Sequence, residues 1–350
     1  MRRLLLVPAT AVAALLMAAG PALACGGLIG PNGAVNLLRT TTLAAYHNGV
    51  EHYVTAFQFA GGGGAFGSIV PLPGIPSKVE KGGAWTLQRL IRETDPQPLF
   101  ARDAAIPAAS RAEVLLQVRI DALDITVLRG GGDQVGSWAK DHGFRLPPDA
   151  PEVLDFYAAR SPIFLAAVFD ADAAAKRGQA IGDGTPVHIT IPTANPWVPL
   201  RILALGKVAG ERVDADVYLL TDRRPAMLPD PNANGLTLQV SRAASLQLLD
   251  DLRSDKGMGW VPQLAWLSKV RIDGPASDLR FDLAIDASGR GRPSLVDAGL
   301  ASLRSAPQPT IPAGSVTWVL LLASVVLVVP LIGGLSLARS RRRPSPGADA

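Results

Sequence analysis

Hydrophobic and polar residues alternate along much of the chain, a pattern typical of strands that bury one face. The clearest case is residues 37–59, where two β-rich runs, LRTTTLAAYH and VEHYVTAFQF, flank Asn48-Gly49. An Asn-Gly pair between two such runs is the strongest short-range signal for a two-residue hairpin, because both residues tolerate positive φ. The pattern therefore predicts a β-hairpin over 37–59.

Short apolar, β-branched runs predict further strands at 113–120, 163–169, 187–191, 216–220, 264–272 and 279–285. Helical spacing predicts helices at 85–93, 134–141, 151–159 and 246–252, and a short helical piece near 295–303. For the helix at 151–159, Asp149 is predicted to cap the first turn and Glu152 to complete a capping box. The predicted fold class is α+β, a strand-rich domain over 25–289 with a few short helices and one further C-terminal transmembrane helix.

Two stretches of the chain, 57–73 and 168–192, show a weak internal similarity. Each has an apolar strand, a loop and a second strand that ends in proline. A duplicated unit would explain this similarity. The domain is therefore interpreted either as two similar halves, about 35–130 and 160–285, or as one unrepeated unit.

The glycine-rich loop at 61–67 is followed by a strand interrupted by Pro71 and Pro73. Gly62, Gly64 and Gly67 formally match the dinucleotide fingerprint, but that site requires a helix after the loop, and a strand follows here instead. Since proline cannot donate to a ladder, the strand is predicted at a sheet edge. The surface around Gly62, Gly63, Gly64, Pro71 and Pro73 is a candidate partner-binding edge; the alternative is that the prolines only prevent unwanted edge pairing.

The N-terminus has the three parts of a secretory signal peptide: Arg2 and Arg3, an apolar stretch, and small residues at Ala22 and Ala24. Residues 1–24 are therefore predicted to be removed by cleavage between Ala24 and Cys25. Lipidation of Cys25 is an alternative, although the residues before it do not follow the usual lipid-attachment pattern.

Residues 316–338 form a charge-free run long enough to cross a membrane as a helix, with a basic cluster after it. Because basic flanks stay in the cytoplasm, the tail at 339–350 is predicted inside and the body outside. Residues 290–315 are rich in Pro, Ser and Ala and are predicted to be a flexible tether. A sortase-type anchor is rejected, since the stretch at 307–312 lacks the required site. The expected location is the cell membrane, with a single membrane pass.

Charge excludes a nucleic-acid partner. Of 34 basic residues, six lie in the two ends, and of 30 acidic residues only Asp349 does, so the body carries 28 basic against 29 acidic residues. Such a body has no basic face that could neutralise phosphates. With one Cys in the chain, no internal disulfide can form.

Candidate chemistry is sparse, and we expect no metal and no cofactor. His47 and His52 flank the hairpin turn on one face, roughly 7 Å apart, but two imidazoles are too few for a typical zinc site. No nucleophile elbow or zinc-protease motif occurs. The acid pairs 121/124, 214/216 and 250/251 are interpreted as solvated carboxylates, while a glycosidase with two carboxylates that meet in space stays open. The tryptophans at 85, 138, 197, 260 and 266 are interpreted as packing residues.

Several segments together resemble the bacterial family called domain of unknown function 2330. They are Ala24-Cys25-Gly26-Gly27, the stretch 67–76, the step GFRLP at 143–147, PLRI at 199–202, and DVYLLTDRR at 216–224. The resemblance covers roughly 24–285 and implies an exported bacterial protein, often with a C-terminal membrane helix, without assigned catalytic residues. The loop at 61–66 departs from the family pattern in its glycine content.

The favoured function is a membrane-anchored extracytoplasmic binding or structural module of unknown ligand, whose partner is an envelope protein or a glycan. The alternative is a cell-envelope hydrolase that acts on glycan or peptide through a carboxylate pair. A buried carboxylate pair beside tryptophan in one deep cleft would favour the hydrolase.

Overall fold

The computed structural model describes residues 27–30, 33–34, 40–58, 66–95, 115–176, 178, 184–288 and 292–301. Its strands are β1 Gly27–Gly30, β2 Gly33–Ala34, β3 Thr40–His47, β4 Val50–Gln58, β5 Phe66–Pro71, β6 Lys78–Lys81, β7 Leu116–Ile120, β8 Leu123–Arg129, β9 Ile163–Phe169, β10 Gly184–Pro192, β11 Trp197–Val198, β12 Arg212–Thr221, β13 Ala226–Leu228, β14 Leu236–Ala243, β15 Trp266–Pro275 and β16 Leu283–Asp286. Its α-helices are α1 Thr86–Thr94, α2 Gly132–Asp141, α3 Ala150–Ala158, α4 Ala171–Lys176 and α5 Leu246–Ser254, and two 3₁₀ turns lie at Arg201–Ala204 and Ala276–Asp278. This is a strand-rich α+β fold with a few short helices, as predicted.

The strands form three sheets. Sheet I has the order β2-β1-β5-β9-β8-β7, sheet II the order β14-β15-β12-β3-β4-β10-β6, and sheet III the order β11-β16-β13. In sheet II, β12 pairs with β3 in parallel, while the other neighbours are antiparallel. The register of sheet II places Tyr46 opposite Glu51 on β4 and beside Thr221 on β12.

Three buried clusters divide the fold into layers. The largest contains inward-facing residues of both large sheets, such as Val70 of sheet I and Val217 of sheet II, and so lies between them. The second packs α2 and α3 on the other face of sheet I, and the third packs α1 and α5 on the other face of sheet II. Each sheet is therefore covered on both faces, which explains the near-continuous burial of β5, β9 and β12.

Local signals predicted many of these elements, but they did not predict β6, β8 or β14. The hairpin has its two-residue turn at Asn48 and Gly49, with φ values of 51° and 79°. The helix predicted at 151–159 forms as α3, but its predicted capping box is wrong. Asp149 makes no side-chain cap and instead accepts hydrogen bonds from the Gly206 N–H, while Glu152 pairs with Arg201.

The prediction that the strand after the glycine loop lies at a sheet edge is wrong. This strand, β5, is buried along its length and lies between β1 and β9. Pro71 occupies the last position of β5, beyond its register with β1, so its missing N–H removes no hydrogen bond from that ladder. Pro73 is half-buried beyond the strand, and Gly62, Gly63 and Gly64 lie outside the described residues.

The folded body extends past the predicted start of the tether at 290. Within the segment 292–301, Ala298 is fully buried and its carbonyl accepts a hydrogen bond from the Asp282 N–H at 3.0 Å. The Asp297 carbonyl accepts another from Arg160 at 2.5 Å. This segment is therefore part of the packed domain, because its backbone is bonded to buried elements.

Within the described residues, no helix combines the length and the apolar character that a membrane crossing requires. The signal peptide, the Ala24–Cys25 cleavage site and the membrane helix at 316–338 all fall on residues outside the described ranges. They stay predictions from sequence. The duplication also stays a prediction: its two stretches pair with each other twice, β4 with β10 and β5 with β9.

Candidate functional site

A polar pocket lies at the end of sheet II where the β3–β4 hairpin turns. Tyr46, near the end of β3, forms one wall, and its hydroxyl donates to the Thr193 carbonyl at 2.9 Å. The opposite walls come from the loop after β10, from the end of β16 and from the segment 292–297. The pocket has a volume of about 240 Å³ and is half open to solvent. We call it the Tyr46 pocket.

The lining of the Tyr46 pocket mixes acceptors and donors. Asp286 and Asp297 supply carboxylates, Arg292 a guanidinium, and Asn195 an amide, while alanine, proline and isoleucine side chains fill the remaining surface. The Asp286 carboxylate also accepts the Ser288 N–H at 2.8 Å, which fixes its orientation. Such a set can hold a ligand that both donates and accepts hydrogen bonds.

A buried acid, Glu51, lies directly behind this wall. It pairs in register with Tyr46 on one side and Ile191 on the other, and its side chain points to the core between the two large sheets. It has no exposed surface, and neither carboxyl oxygen makes a well-formed hydrogen bond among the described residues. Burial raises the pKa of Glu51 to about 8, and the nearby Trp197 backbone N–H lowers it only in part. Glu51 is therefore largely protonated at neutral pH.

The pKa of Tyr46 responds to the acidic residues at this end of the sheet. Its pKa is raised first by burial and then by the charges of Glu51, Asp222 and Asp286. The hydroxyl is therefore held as a neutral group that donates and accepts hydrogen bonds. Tyr46 acts as a polar wall of the pocket rather than as a phenolate.

A second constellation lies on the other face of sheet II. His52 on β4 and His188 on β10 are diagonal neighbours, and their rings are joined by a 2.9 Å contact from Nδ1 of His52 to Nε2 of His188. Trp260 stacks on His52 with a centroid distance of 3.7 Å and an interplanar angle of 4°. Glu80 on β6 lies 3.6 Å from Nδ1 of His188.

These contacts favour one arrangement of protons along the series Glu80, His188 and His52. A carboxylate beside Nδ1 of His188 favours N–H at that atom, so Nε2 of His188 accepts from Nδ1–H of His52. This order leaves Nε2 of His52 as a lone-pair acceptor. Burial lowers the pKa of His52 to about 3 and that of His188 to about 4, so both rings are neutral at pH 7.

The histidine predicted beside His52, His47, is not its contact partner, because His52 contacts His188 instead. His47 lies on the same face, as predicted, but it contacts Asp222 at 2.5 Å and Asn48 at 2.8 Å. His52 contacts His188 because β4 and β10 are neighbours, although 136 residues separate the two histidines. The spacing of the histidines along the chain therefore does not predict the contact between His52 and His188. In the described part of the chain, no three His, Cys, Asp or Glu side chains are grouped closely enough to hold a metal ion.

The acid pairs considered from sequence do not assemble into one site. Asp121 pairs with Lys81, Asp214 with Arg271, and Asp251 with Arg89. The carboxyl groups whose pKa is raised have separate surroundings: burial dominates at Glu51, at Asp124 and at Asp282, each with different neighbours. Trp138 and Trp197 are buried packing residues, as interpreted from sequence, whereas Trp260 belongs to the histidine constellation.

A second shallow pocket, of about 210 Å³, lies beside α3 and the 3₁₀ turn at Arg201–Ala204. Two of its basic residues pair with acids, Arg201 with Glu152 and Lys207 with Glu211.

The matching family model is described as an uncharacterized protein conserved in bacteria, DUF2330, and it matches residues 19–258. The chain belongs to this family. The match ends before β15. Strands β15 and β16 and the segment 292–301 therefore lie beyond the matched residues. The Tyr46 pocket of this family member is therefore built partly from residues outside the match.

No curated protein matches the chain. Among solved structures, baculovirus P35 is similar at 9% identity with a TM-score of 0.39, covering 71% of this chain and 96% of P35. A mutated baculovirus P35 after caspase cleavage is similar at 8% identity with a TM-score of 0.37, covering 71% of this chain and 98% of that one. At these values neither likeness bears on the function of this chain.

Proposed function

We propose that this chain is a binding module held at the outer face of the bacterial cell membrane, and that the Tyr46 pocket takes its ligand. The anchor rests on the predicted signal peptide and the charge-free run at 316–338. The single observation that supports ligand binding is the convergence of Tyr46, Asp286, Asp297 and Arg292 on one pocket.

The size and polarity of the pocket favour a small hydroxyl-bearing ligand. Its volume of about 240 Å³ is below the ~300–1,000 Å³ of sites for drug-sized ligands. Carboxylates accept from hydroxyl groups, and a guanidinium donates to ring and hydroxyl oxygens. A single sugar ring satisfies both requirements, which suits a protein that faces the glycans of the cell envelope.

Pure sugars test this assignment directly. The full chain is mixed with glucose, galactose, mannose, N-acetylglucosamine and N-acetylmuramic acid, and binding is followed by saturation-transfer NMR. We expect at least one sugar to bind and Arg292→Ala to weaken its affinity about tenfold, since a lost hydrogen bond to a charged group costs about 1.5–3 kcal/mol.

Arg280→Ala is the matched control, because Arg280 is also exposed but lines the second pocket. It should leave sugar binding unchanged. If no sugar binds, or if both variants weaken binding equally, the Tyr46 pocket is not the ligand site.

One observation favours a hydrolase as a second candidate. The order Glu80, His188, His52 leaves Nε2 of His52 as a hydrogen-bond acceptor, but burial lowers the pKa of His52 to about 3, so a bound substrate would have to raise that pKa toward neutrality before the ring could act as a general base. The carboxylate pair first considered for this activity lacks support among the described residues, because the acids with raised pKa have separate surroundings. Release of soluble fragments from envelope glycan in the same mixtures would support the hydrolase over the binding module.

A further inference from the structure

We infer that the sugar bound in the Tyr46 pocket carries a free, protonated amino group, and that the carboxylates of Asp286 and Asp297 receive this group. The inference rests on the proposed function and narrows the ligand from any single sugar ring to an amino sugar without an acetyl group. Three features support it: the charge of the pocket lining, the charges that act on Tyr46, and the buried acid behind the Tyr46 wall.

The lining of the Tyr46 pocket carries more negative than positive charge. Within the described ranges its charged residues are Asp286, Asp297 and Arg292, two carboxylates against one guanidinium. Asp286 and Asp297 are half-buried, whereas Arg292 is exposed. An ammonium beside the two aspartates is therefore partly shielded from solvent, where the attraction between opposite charges is stronger than at an open surface.

The charges that act on Tyr46 are acidic as well. Tyr46 is the parallel neighbour of Thr221, so the next residue of the chain, Asp222, lies at the same end of sheet II. After burial, the pKa of Tyr46 is raised by the charges of Glu51, Asp222 and Asp286. A wall that acids surround in this way attracts a cationic ligand group and repels an anionic one.

The buried acid behind the Tyr46 wall is an observation independent of the lining. Glu51 has no exposed surface, and in the described part of the chain neither of its carboxyl oxygens makes a well-formed hydrogen bond. Its register partner on β3 is Tyr46, which forms one wall of the pocket. A cation in the pocket stabilises the ionised form of a nearby buried acid, so Glu51 points to the same ligand charge as the two aspartates.

An ammonium fits this lining better than a metal ion. Across the described ranges, no three His, Cys, Asp or Glu side chains are grouped closely enough to hold a metal. Arg292 also lines the pocket; it would repel a bare divalent ion, whereas it can donate to the hydroxyl groups of an amino sugar. An ammonium has three N–H donors, which suit the carboxylates of Asp286 and Asp297 and the amide oxygen of Asn195.

The test compares three sugars that differ at one ring substituent. Glucosamine has an ammonium where glucose has a hydroxyl and N-acetylglucosamine a neutral amide. Affinities for the full chain are measured by saturation-transfer NMR titration at about pH 6, below the ordinary pKa of an amine. We expect glucosamine to bind about tenfold more tightly than the other two, because hydrogen bonds between charged groups are stronger than neutral ones. Raising the salt from about 0.1 M to about 1 M should weaken the binding of glucosamine and not that of glucose.

Charge-removing variants locate the amino group. Asp286→Asn and Asp297→Asn should each reduce the preference for glucosamine over glucose about threefold, since asparagine keeps the size of the side chain and loses its charge. Asp149→Asn is the matched control, because Asp149 is also half-buried, lines the second pocket and accepts a backbone N–H. It removes the same charge from the chain and should leave the preference unchanged.

The outcomes separate this inference from the proposed function. If the three sugars bind with equal affinity, the inference is wrong and the proposed function stands. If glucosamine is preferred but both pocket variants keep that preference, its amino group binds away from Asp286 and Asp297, which also overturns the inference. If none of the sugars binds, the proposed function itself is contradicted.

Discussion

Two carboxyl groups of this protein are equally buried but differently surrounded. Asp282, next to β16, has no exposed surface and accepts four hydrogen bonds, from the Tyr157 hydroxyl, the backbone N–H groups of Leu200 and Arg201, and the Arg160 guanidinium, at 2.6–3.1 Å. Glu51 on β4 also has no exposed surface, but within the described ranges neither of its oxygens makes a well-formed hydrogen bond.

A buried carboxyl group with four hydrogen bonds can hold elements of the fold together, whereas a buried carboxyl group without them only costs stability. Burial raises the pKa of both acids, but at Asp282 the charge and hydrogen bonds of Arg160 oppose that shift. The Asp282 cluster joins α3, the 3₁₀ turn at Arg201–Ala204 and the start of β16, so it specifies how these elements meet. Glu51 has no comparable set of hydrogen bonds among the described residues, so its burial is not compensated in this way.

Removing Asp282 should have the largest effect on stability. Asp282→Ala leaves the Arg160 charge buried, with only 4% of its side chain exposed, and it leaves two backbone N–H groups without acceptors. We expect a loss of about 3–5 kcal/mol in the free energy of unfolding, measured by urea denaturation. Tyr157→Phe removes one donor to Asp282 and also the acceptor of the buried Ile202 N–H, so it should cost less than Asp282→Ala, about 2 kcal/mol. A loss below 1 kcal/mol for Asp282→Ala would show that the cluster does not hold the fold together.

Glu51→Gln should change the pH dependence of stability. The folded-state pKa of Glu51, about 8, lies above its ordinary value of 4.5, so the folded chain holds the extra proton between these values. Stability from this group is complete below pH 4.5 and is lost as the pH rises through 8, with a slope approaching about 1.4 kcal/mol per unit.

Because glutamine does not titrate, the variant should be more stable than the wild type at pH 9 and similar to it near pH 5. Denaturation midpoints at the two pH values measure this. If the variant loses stability at both, Glu51 makes a favourable contact as an acid, and the contrast with Asp282 disappears.

His188 should give the smallest of the three effects, with the opposite sign. Its folded-state pKa, about 4, lies below its ordinary value of 6.5, so only the unfolded chain takes up this proton between those values. Stability is therefore lost as the pH falls from 6.5 toward 4, with a slope approaching about 1.4 kcal/mol per unit. His188→Gln should remove only the His188 share of this limb, because His52, with a folded-state pKa of about 3, loses stability over the same pH range, and the variant should leave the alkaline limb of Glu51 in place. An unchanged acidic limb would place its origin elsewhere.

Local sequence signals determined most of the elements. Asn48-Gly49 specified a hairpin because few residue pairs adopt positive φ at both positions. The helical spacing around α1, α3 and α5 specified helices because their apolar faces repeat every three to four residues. The alternation in β4 also places Glu51 on the buried face of Tyr53, so the pattern itself contains a signal for a buried acid.

Tertiary structure alone decided which elements became neighbours. The prolines of β5 indicated an edge, yet β1 and β9 flank this strand because Pro71 falls where the β1 ladder has already ended. His52 contacts His188, and Tyr46 and Asp297 line the same pocket, across long separations in sequence. Residue patterns record which face of a strand is apolar, but strand order follows from how whole sheets bury those faces together. The Tyr46 pocket and the histidine constellation both depend on that order, so only the folded chain contains them.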